Sequence, residues 1–218
     1  MAQTYRTKRE KVYLSLQDKI IKGVLRPGTR LIISNLAKQF DVSEIPVREA
    51  IQTLAHEGYV SITPHSGATV SSMSEDDIRQ IFEIRINLES LASRLAVDHL
   101  SNSHIKTLYQ MIEDSKNFLH NQDLQGYGEF NRAFHDCIYQ HANNQRLFTM
   151  ISELWDFSTR YPAFFSSLQD IENSIREHKE IVDALNDKNA DLVEKLMRDH
   201  TRDVYHKIIR LVQQENNE

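Results

Sequence analysis

Between Ile78 and Leu211 apolar residues recur every three or four positions through six successive stretches, interrupted by one proline, Pro162. That spacing places each set on one face of a helix, and such faces must be covered by one another. The stripes run Ile78, Phe82, Leu88 and Ala92 over 75–99; Ile105, Leu108 and Ile112 from Ser103 onward; Tyr127, Phe134 and Ile138 over 123–140. They continue with Leu147, Ile151 and Leu154 over 144–160; Ile171, Ile175 and Leu185 over 168–187; Leu196, Val204 and Ile208 over 190–214. Helices of this number and length predict an antiparallel all-α bundle, a fold that houses sites in its core. Ser103 is expected to cap the second helix.

The first third is punctuated differently. Three of the four prolines and four of the six glycines precede residue 68, which predicts short elements joined by sharp turns. Val12, Leu16 and Ile20 predict a helix over 10–24, followed by a turn at Pro27-Gly28. Ser34 is expected to cap a short helix carrying Leu36 and Ala37. After a tight turn at Asp41-Val42, Ser43 caps a second helix reaching about His56, with Pro46 in its first turn and Gly58 ending it. Tyr59–Thr63 and Ala68–Ser72 alternate around Pro64-His65-Ser66-Gly67, the pattern of a β-hairpin. Helix, helix, tight turn, helix, hairpin is the order of a winged helix-turn-helix. The expected division is a basic tail at 1–9, a winged helix-turn-helix at 10–72, a linker at 73–76 and the helical bundle at 77–218.

Charge divides at the same place. Residues 1–74 carry +4 and the remainder −9, so the first module is the one suited to a polyanion. In a winged helix-turn-helix the second helix enters the major groove of double-stranded DNA. Val47, Ile51 and Leu54 share its inward face, leaving Glu44, Ile45, Arg48 and Gln52 outward. Arg48 can fork onto guanine or phosphate, Gln52 can reach adenine, and Glu44 can accept from cytosine N4. A merely solvated helix face is the plain alternative. One such motif per chain implies a homodimer reading two half-sites.

No run approaches the roughly 18 apolar residues of a membrane helix, mean hydropathy is −0.52, and the basic N-terminus leads into no apolar segment. The single cysteine, Cys137, leaves no intramolecular disulfide scaffold. A cytoplasmic protein with no membrane partner is expected.

Eight of the ten histidines lie in the bundle. Asn131 and His135 are one turn apart, while His178 and His200 interrupt stripes that otherwise face the core. Three imidazoles and one side-chain oxygen suit a divalent metal with an open position. Hydrogen-bonded core histidines are the plain alternative. A metal-dependent hydrolase is a second functional reading, prompted by the adjacent His135-Asp136, although on a helix those two side chains diverge by about 100°.

Spaced motifs sharpen both modules. Pro27-Gly28, Leu36-Ala37, Val42-Ser43, Pro46-Val47-Arg48-Glu49-Ala50 and Glu57-Gly58 resemble the DNA-binding domain of the GntR family of bacterial transcription regulators. By that resemblance Ser34, Ser43, Arg48 and the hairpin tip His65-Ser66-Gly67 lie among the DNA-contacting positions. The family's usual acidic residue and arginine before the Leu-Ala pair are here Ile33 and Ser34, and its arginine after the capping serine is Glu44. The usual operator consensus therefore does not carry over. The bundle's E-I-R-I-N-L-E, N-R-A-F-H-D, E-H-K-E-I-V-D and M-R-D-H resemble the FCD domain of the FadR-type branch. In that domain an Asp and three His hold zinc or nickel above a pocket for a small organic acid. The resemblance carries those positions to Asn131, His135, His178 and His200, with the carboxylate replaced by an amide. It offers Arg85 for the effector's carboxylate; a buried partnership with Glu89 is the alternative.

Overall fold

The computed structural model describes residues 7–21, 23–63, 67–71, 74–158, 165 and 167–215. These form two compact units that divide between Ser74 and Glu75. No described helix is long and apolar enough to cross a membrane.

In the first unit, helix α1 (Lys8–Ile21) buries Val12, Leu16 and Ile20. Thr7 caps it, its hydroxyl accepting from the Glu10 N–H at 3.1 Å. The helix stops three residues before the expected end. Gly23 turns left-handed (φ 67°) and the Leu25 N–H returns to the Lys19 carbonyl at 2.9 Å. Strand β1 (Arg30–Leu31) follows, an element with no sequence expectation. It leaves only Ile32 to turn the corner into α2 (Ile33–Phe40), so Ile32 holds the N-cap position. Ser34 therefore lies within the first turn and caps nothing, a correction to the expectation. Asp41, left-handed at φ 51°, makes the tight turn. Ser43 precedes α3 (Glu44–His56) in extended conformation, as expected of an N-cap, but its side chain makes no capping hydrogen bond. Gly58 (φ 76°) ends α3 while the Tyr59 N–H bonds the Leu54 carbonyl at 2.8 Å.

Strands β2 (Val60–Thr63) and β3 (Gly67–Val70) form the hairpin, shorter at both outer ends than predicted. The sheet order is β1-β3-β2, all antiparallel, with Arg30 opposite Thr69 and Val60 opposite Val70. His65 and Ser66 of the expected hairpin tip lie outside the described residues, whereas Gly67 opens β3. The α1 stripe, Leu36, Ala37, Val47, Ile51, Leu54, Val60 and Val70 make one core. That core fixes which face α3 turns outward.

The second unit is helical throughout its described length: α4 (Glu75–Ala96), α5 (Asn102–Asn121), α6 (Leu124–Tyr139), a 3₁₀ turn at Gln140–Ala142, α7 (Gln145–Ser158), α8 (Leu168–Asn186) and α9 (Ala190–Glu215). Helix α4 packs along α9, α5 along α8, and α6 and α7 against α4. Helix α5 begins before Ser103. Ser101 accepts from the His104 N–H at 3.3 Å, and its own N–H donates to His104 Nδ1 at 3.2 Å. This reciprocal cap is the reason Ser101 rather than Ser103 starts the helix. Lys188 Nζ donates to the carbonyls of Val97 and Leu100 at 2.6 and 2.7 Å, satisfying groups that the end of α4 leaves open. The core runs from Ala92 and Phe134 through Trp155 and Ile181 to Met197.

Candidate functional site

Helix α3 buries Val47, Ala50, Ile51 and Leu54, and consequently exposes Glu44, Ile45, Arg48 and Gln52. Ile45 is 67% exposed, an unusual placement for an isoleucine that suits contact with a thymine methyl in a groove. The inward and outward faces agree with the periodicity. Arg48, however, is engaged: its Nη2 donates to Glu44 Oε2 at 2.9 Å across one helical turn. Ser34 and Ser43 are both exposed in the same unit.

The second unit carries a polar seam through its core. Arg85 and Glu89 on α4, Asn131 and His135 on α6, Ser174 and His178 on α8, and His200 and Thr201 on α9 are all buried. In three of those helices the two residues are four apart, hence stacked on one inward face. The ligand-capable nitrogens of His135, His178 and His200 lie within 4.8 Å of one another. His135 Nε2 and His178 Nε2 are 3.2 Å apart. Two nitrogens each 2.0–2.1 Å from a tetrahedral metal lie about 3.3 Å apart, so the pair is spaced as ligands are. His200 Nδ1 meets Glu177 Oε2 at 2.6 Å, the carboxylate–histidine arrangement that orients a ligating ring.

Burial, reinforced by the other two imidazoles, pushes His135 well below the usual histidine range, and burial with His200 does the same to His178. Both rings are neutral at physiological pH, the form that ligates metal. Asn131 Oδ1 is buried without a hydrogen-bond partner among the described residues, as is Arg85 Nη1. A buried amide oxygen left unpaired is costly, and a cation beside it removes that cost. The donor set fits a divalent metal: three nitrogens, one neutral oxygen and room for an exogenous ligand.

That room is a cavity of about 290 Å³, lined by Arg85, Glu89, Asn131, His135, His200 and Thr201 together with the Asp170–Glu177 face of α8 and the Asp203–Arg210 stretch of α9. Arg85 meets the second of its two expectations. Its Nε donates to Glu89 Oε1 at 2.6 Å, making it the buried partner of Glu89. Its guanidinium is sandwiched 4.6 Å from the Phe82 ring centre and 4.5 Å from that of Trp155, and Nη1 is left over.

Sequence reasoning missed the residues around Glu89. Trp155 Nε1 donates to Glu89 Oε1 at 3.1 Å, and Tyr139 donates its hydroxyl proton to Glu89 Oε2 at 2.8 Å. The available signal was a charged residue, Glu89, at a core register of α4. Asp136, the residue behind the hydrolase reading, is 3.5 Å from Arg132 in an ion pair and takes no part in the histidine cluster.

Residues 8–70 match the family model described as "Bacterial regulatory proteins, gntR family", and residues 80–203 match the FCD domain. The chain belongs to the FCD-bearing, FadR-type branch of the GntR family. This GntR regulator is 28% identical to the HTH-type transcriptional repressor RspR of Escherichia coli strain K12 over 211 residues, 96% of this chain and 92% of RspR. It is 34% identical over 140 residues to the HTH-type transcriptional regulator McbR of the same strain, 64% of this chain and 63% of McbR. The solved structure of E. coli McbR/YncC superposes with TM-score 0.75 at 25% identity, covering 97% of this chain and all of that one. A GntR regulator from Rhodococcus sp. RHA1 shares the fold at TM-score 0.77 and 22% identity, over 94% of this chain and 98% of that one. The protein is a transcriptional regulator of the GntR/FCD family. The hydrolase alternative has no support in these relatives.

Proposed function

We propose that this regulator binds operator DNA as a homodimer in the cytoplasm, and that a small organic acid seated beside a zinc or nickel ion controls its affinity. Residues 10–72 read the DNA through Arg48, Glu44, Ile45 and Gln52, with Ser34, Ser43, His65, Ser66 and Gly67 as further DNA-contacting positions. The helical unit, which begins with α4 at Glu75 rather than after a linker at 73–76, binds the effector and the second copy. The observation that carries the effector reading is the pair of orphaned buried groups, Arg85 Nη1 and Asn131 Oδ1, on two residues lining the 290 Å³ cavity beside the histidine cluster. Asn131, His135, His178 and His200 would hold the metal, which supplies a Lewis-acidic anchor for one end of an anion. Arg85 meets the carboxylate with its free nitrogen.

Arg48 carries the DNA side. Arg48→Ala is expected to weaken binding to a selected operator by about 1–3 kcal/mol with the melting temperature of the protein unchanged. Titration of both proteins on one operator at one salt concentration is the measurement, and equal dissociation constants would remove Arg48 from the interface.

The homodimer is supported by Ile84, Leu91 and Leu95, which are 47%, 41% and 37% exposed and lie at i, i+7 and i+11 on one outward stripe of α4. An apolar stripe of this kind suits a second copy of the helix. Leu91→Glu should shift the sedimentation of the protein to that of a monomer and abolish tight operator binding. A variant that sediments like the wild type would place the interface elsewhere.

A further inference from the structure

We propose that Tyr139 is a positioning residue of the histidine site. It holds His135 in the tautomer that presents a bare Nε2 to the other two histidines, and Glu89 anchors the phenol. The inference deepens the metal reading and rests on it for its consequence, but its first step needs no metal.

The argument is a count of protons. Tyr139 is 1% exposed, so its hydroxyl has no solvent to turn to. Three groups are within reach: Glu89 Oε2 at 2.8 Å, His135 Nδ1 at 3.1 Å and, as a much weaker acceptor, the Met197 thioether sulfur at 3.5 Å. A carboxylate only accepts, so the single phenolic proton lies toward Glu89. The phenol oxygen then offers a lone pair to His135 Nδ1, which must carry its N–H. A neutral imidazole has one N–H, and Nε2 is left bare. That nitrogen is the one 3.2 Å from His178 Nε2. Two lone pairs do not face each other at that distance, so in the metal-free protein His178 carries its proton on Nε2; with a cation bound, that nitrogen would be bare and the single N–H of the neutral ring would be at Nδ1.

Glu89 cannot rotate away from this duty. Arg85 Nε at 2.6 Å and Trp155 Nε1 at 3.1 Å both hold Oε1, which fixes Oε2 under the phenol. The site therefore orients two rings by two routes. His200 is oriented by Glu177 directly at 2.6 Å, whereas His135 is oriented by Glu89 through a phenol. The same carboxylate is bonded to Arg85, so the hydrogen-bonded chain Arg85–Glu89–Tyr139–His135 joins the group proposed for the anion to a proposed metal ligand.

The test uses the full chain and Tyr139→Phe, which keeps the ring that fills the core and removes only the hydroxyl. In the metal-free proteins, the nitrogen and carbon chemical shifts of the His135 ring report which nitrogen is protonated. The wild type is expected to show Nδ1–H alone, and Tyr139→Phe a mixture that includes Nε2–H. Zinc affinity, measured by competition with a chromophoric chelator, is expected to fall about 10–100-fold in the variant. A wild-type His135 protonated on Nε2 would overturn the proposal. So would a variant that keeps the wild-type tautomer and zinc affinity. A wild type with the expected tautomer that takes up no zinc at saturating concentration would instead sink the metal reading and leave the positioning role standing.

Discussion

Glu89→Ala is expected to lower the unfolding free energy of the helical unit by about 3–5 kcal/mol, the range for removing one partner of a buried ion pair. Glu89 and Arg85 are each 1% exposed, and Arg85 already has one unpaired nitrogen. Without the carboxylate its guanidinium would be a buried charge held only by the faces of Phe82 and Trp155. The indole N–H of Trp155 and the hydroxyl of Tyr139 would lose their acceptor in the same step. Cation–π contact offsets roughly 2 kcal/mol of this at most. Denaturant titration followed by tryptophan fluorescence reads the helical unit alone, since the single tryptophan is Trp155. A loss below about 1 kcal/mol would show that water reaches Arg85 and that the seam is wetter than its burial suggests.

Asn131→Asp is expected to raise zinc affinity about tenfold or more, which is about 1.4 kcal/mol, and His178→Ala to abolish measurable binding. An amide oxygen gives a cation a dipole; a carboxylate in the same place gives it a full charge at a position only 3% exposed. Among the described residues the three histidines are the grouped metal-capable side chains, and all three are buried. Removing His178 leaves two nitrogens and a neutral amide oxygen, without the third nitrogen or the carboxylate that three-ligand zinc sites use. Equilibrium dialysis against buffered zinc, with elemental analysis of the three proteins, checks both changes. Absence of zinc from the wild type and from Asn131→Asp alike would mean that the histidines bind the effector directly or serve the core.

Much of the site could be read from spacing because each histidine replaces an apolar residue at an inward register of its own helix. His178 sits between Ile175 and Val182, and His200 between Leu196 and Val204. Periodicity assigns faces, and three faces that all turn inward must meet. What periodicity cannot assign is which side chain reaches sideways to which. Tyr139 lies one turn after His135 on α6, which allows that contact, but nothing local to it shows that its hydroxyl also reaches Glu89 on α4. Glu44 and Arg48 are a different omission, since an acid four residues before an arginine on a helix is itself a pairing signal. Strand β1 was illegible for another reason: two residues are too few to show a period, and their pairing partner is β3, at Ala68 and Thr69, far along the chain. The choice of Ser101 over Ser103 rests on one imidazole, His104, reaching back to close the cap.

The Glu44–Arg48 contact bears on how fast an operator is found. A regulator searching a chromosome spends most of its time on the wrong sequence, held there by cations that displace condensed counterions from phosphate. Here the cation at the tip of the reading helix is matched by an anion 2.9 Å away, and that turn of the helix is neutral. Such a tip displaces fewer counterions from random duplex and releases it sooner. If Arg48 reads the operator as proposed, it would become a strong donor to DNA only where a base edge, a guanine for the guanidinium and a cytosine amine for the freed carboxylate, takes over both halves of the pair. On the proposed reading of Arg48 and Glu44, the ion pair would discriminate by residence time, shortening each unproductive stop while leaving the productive one long.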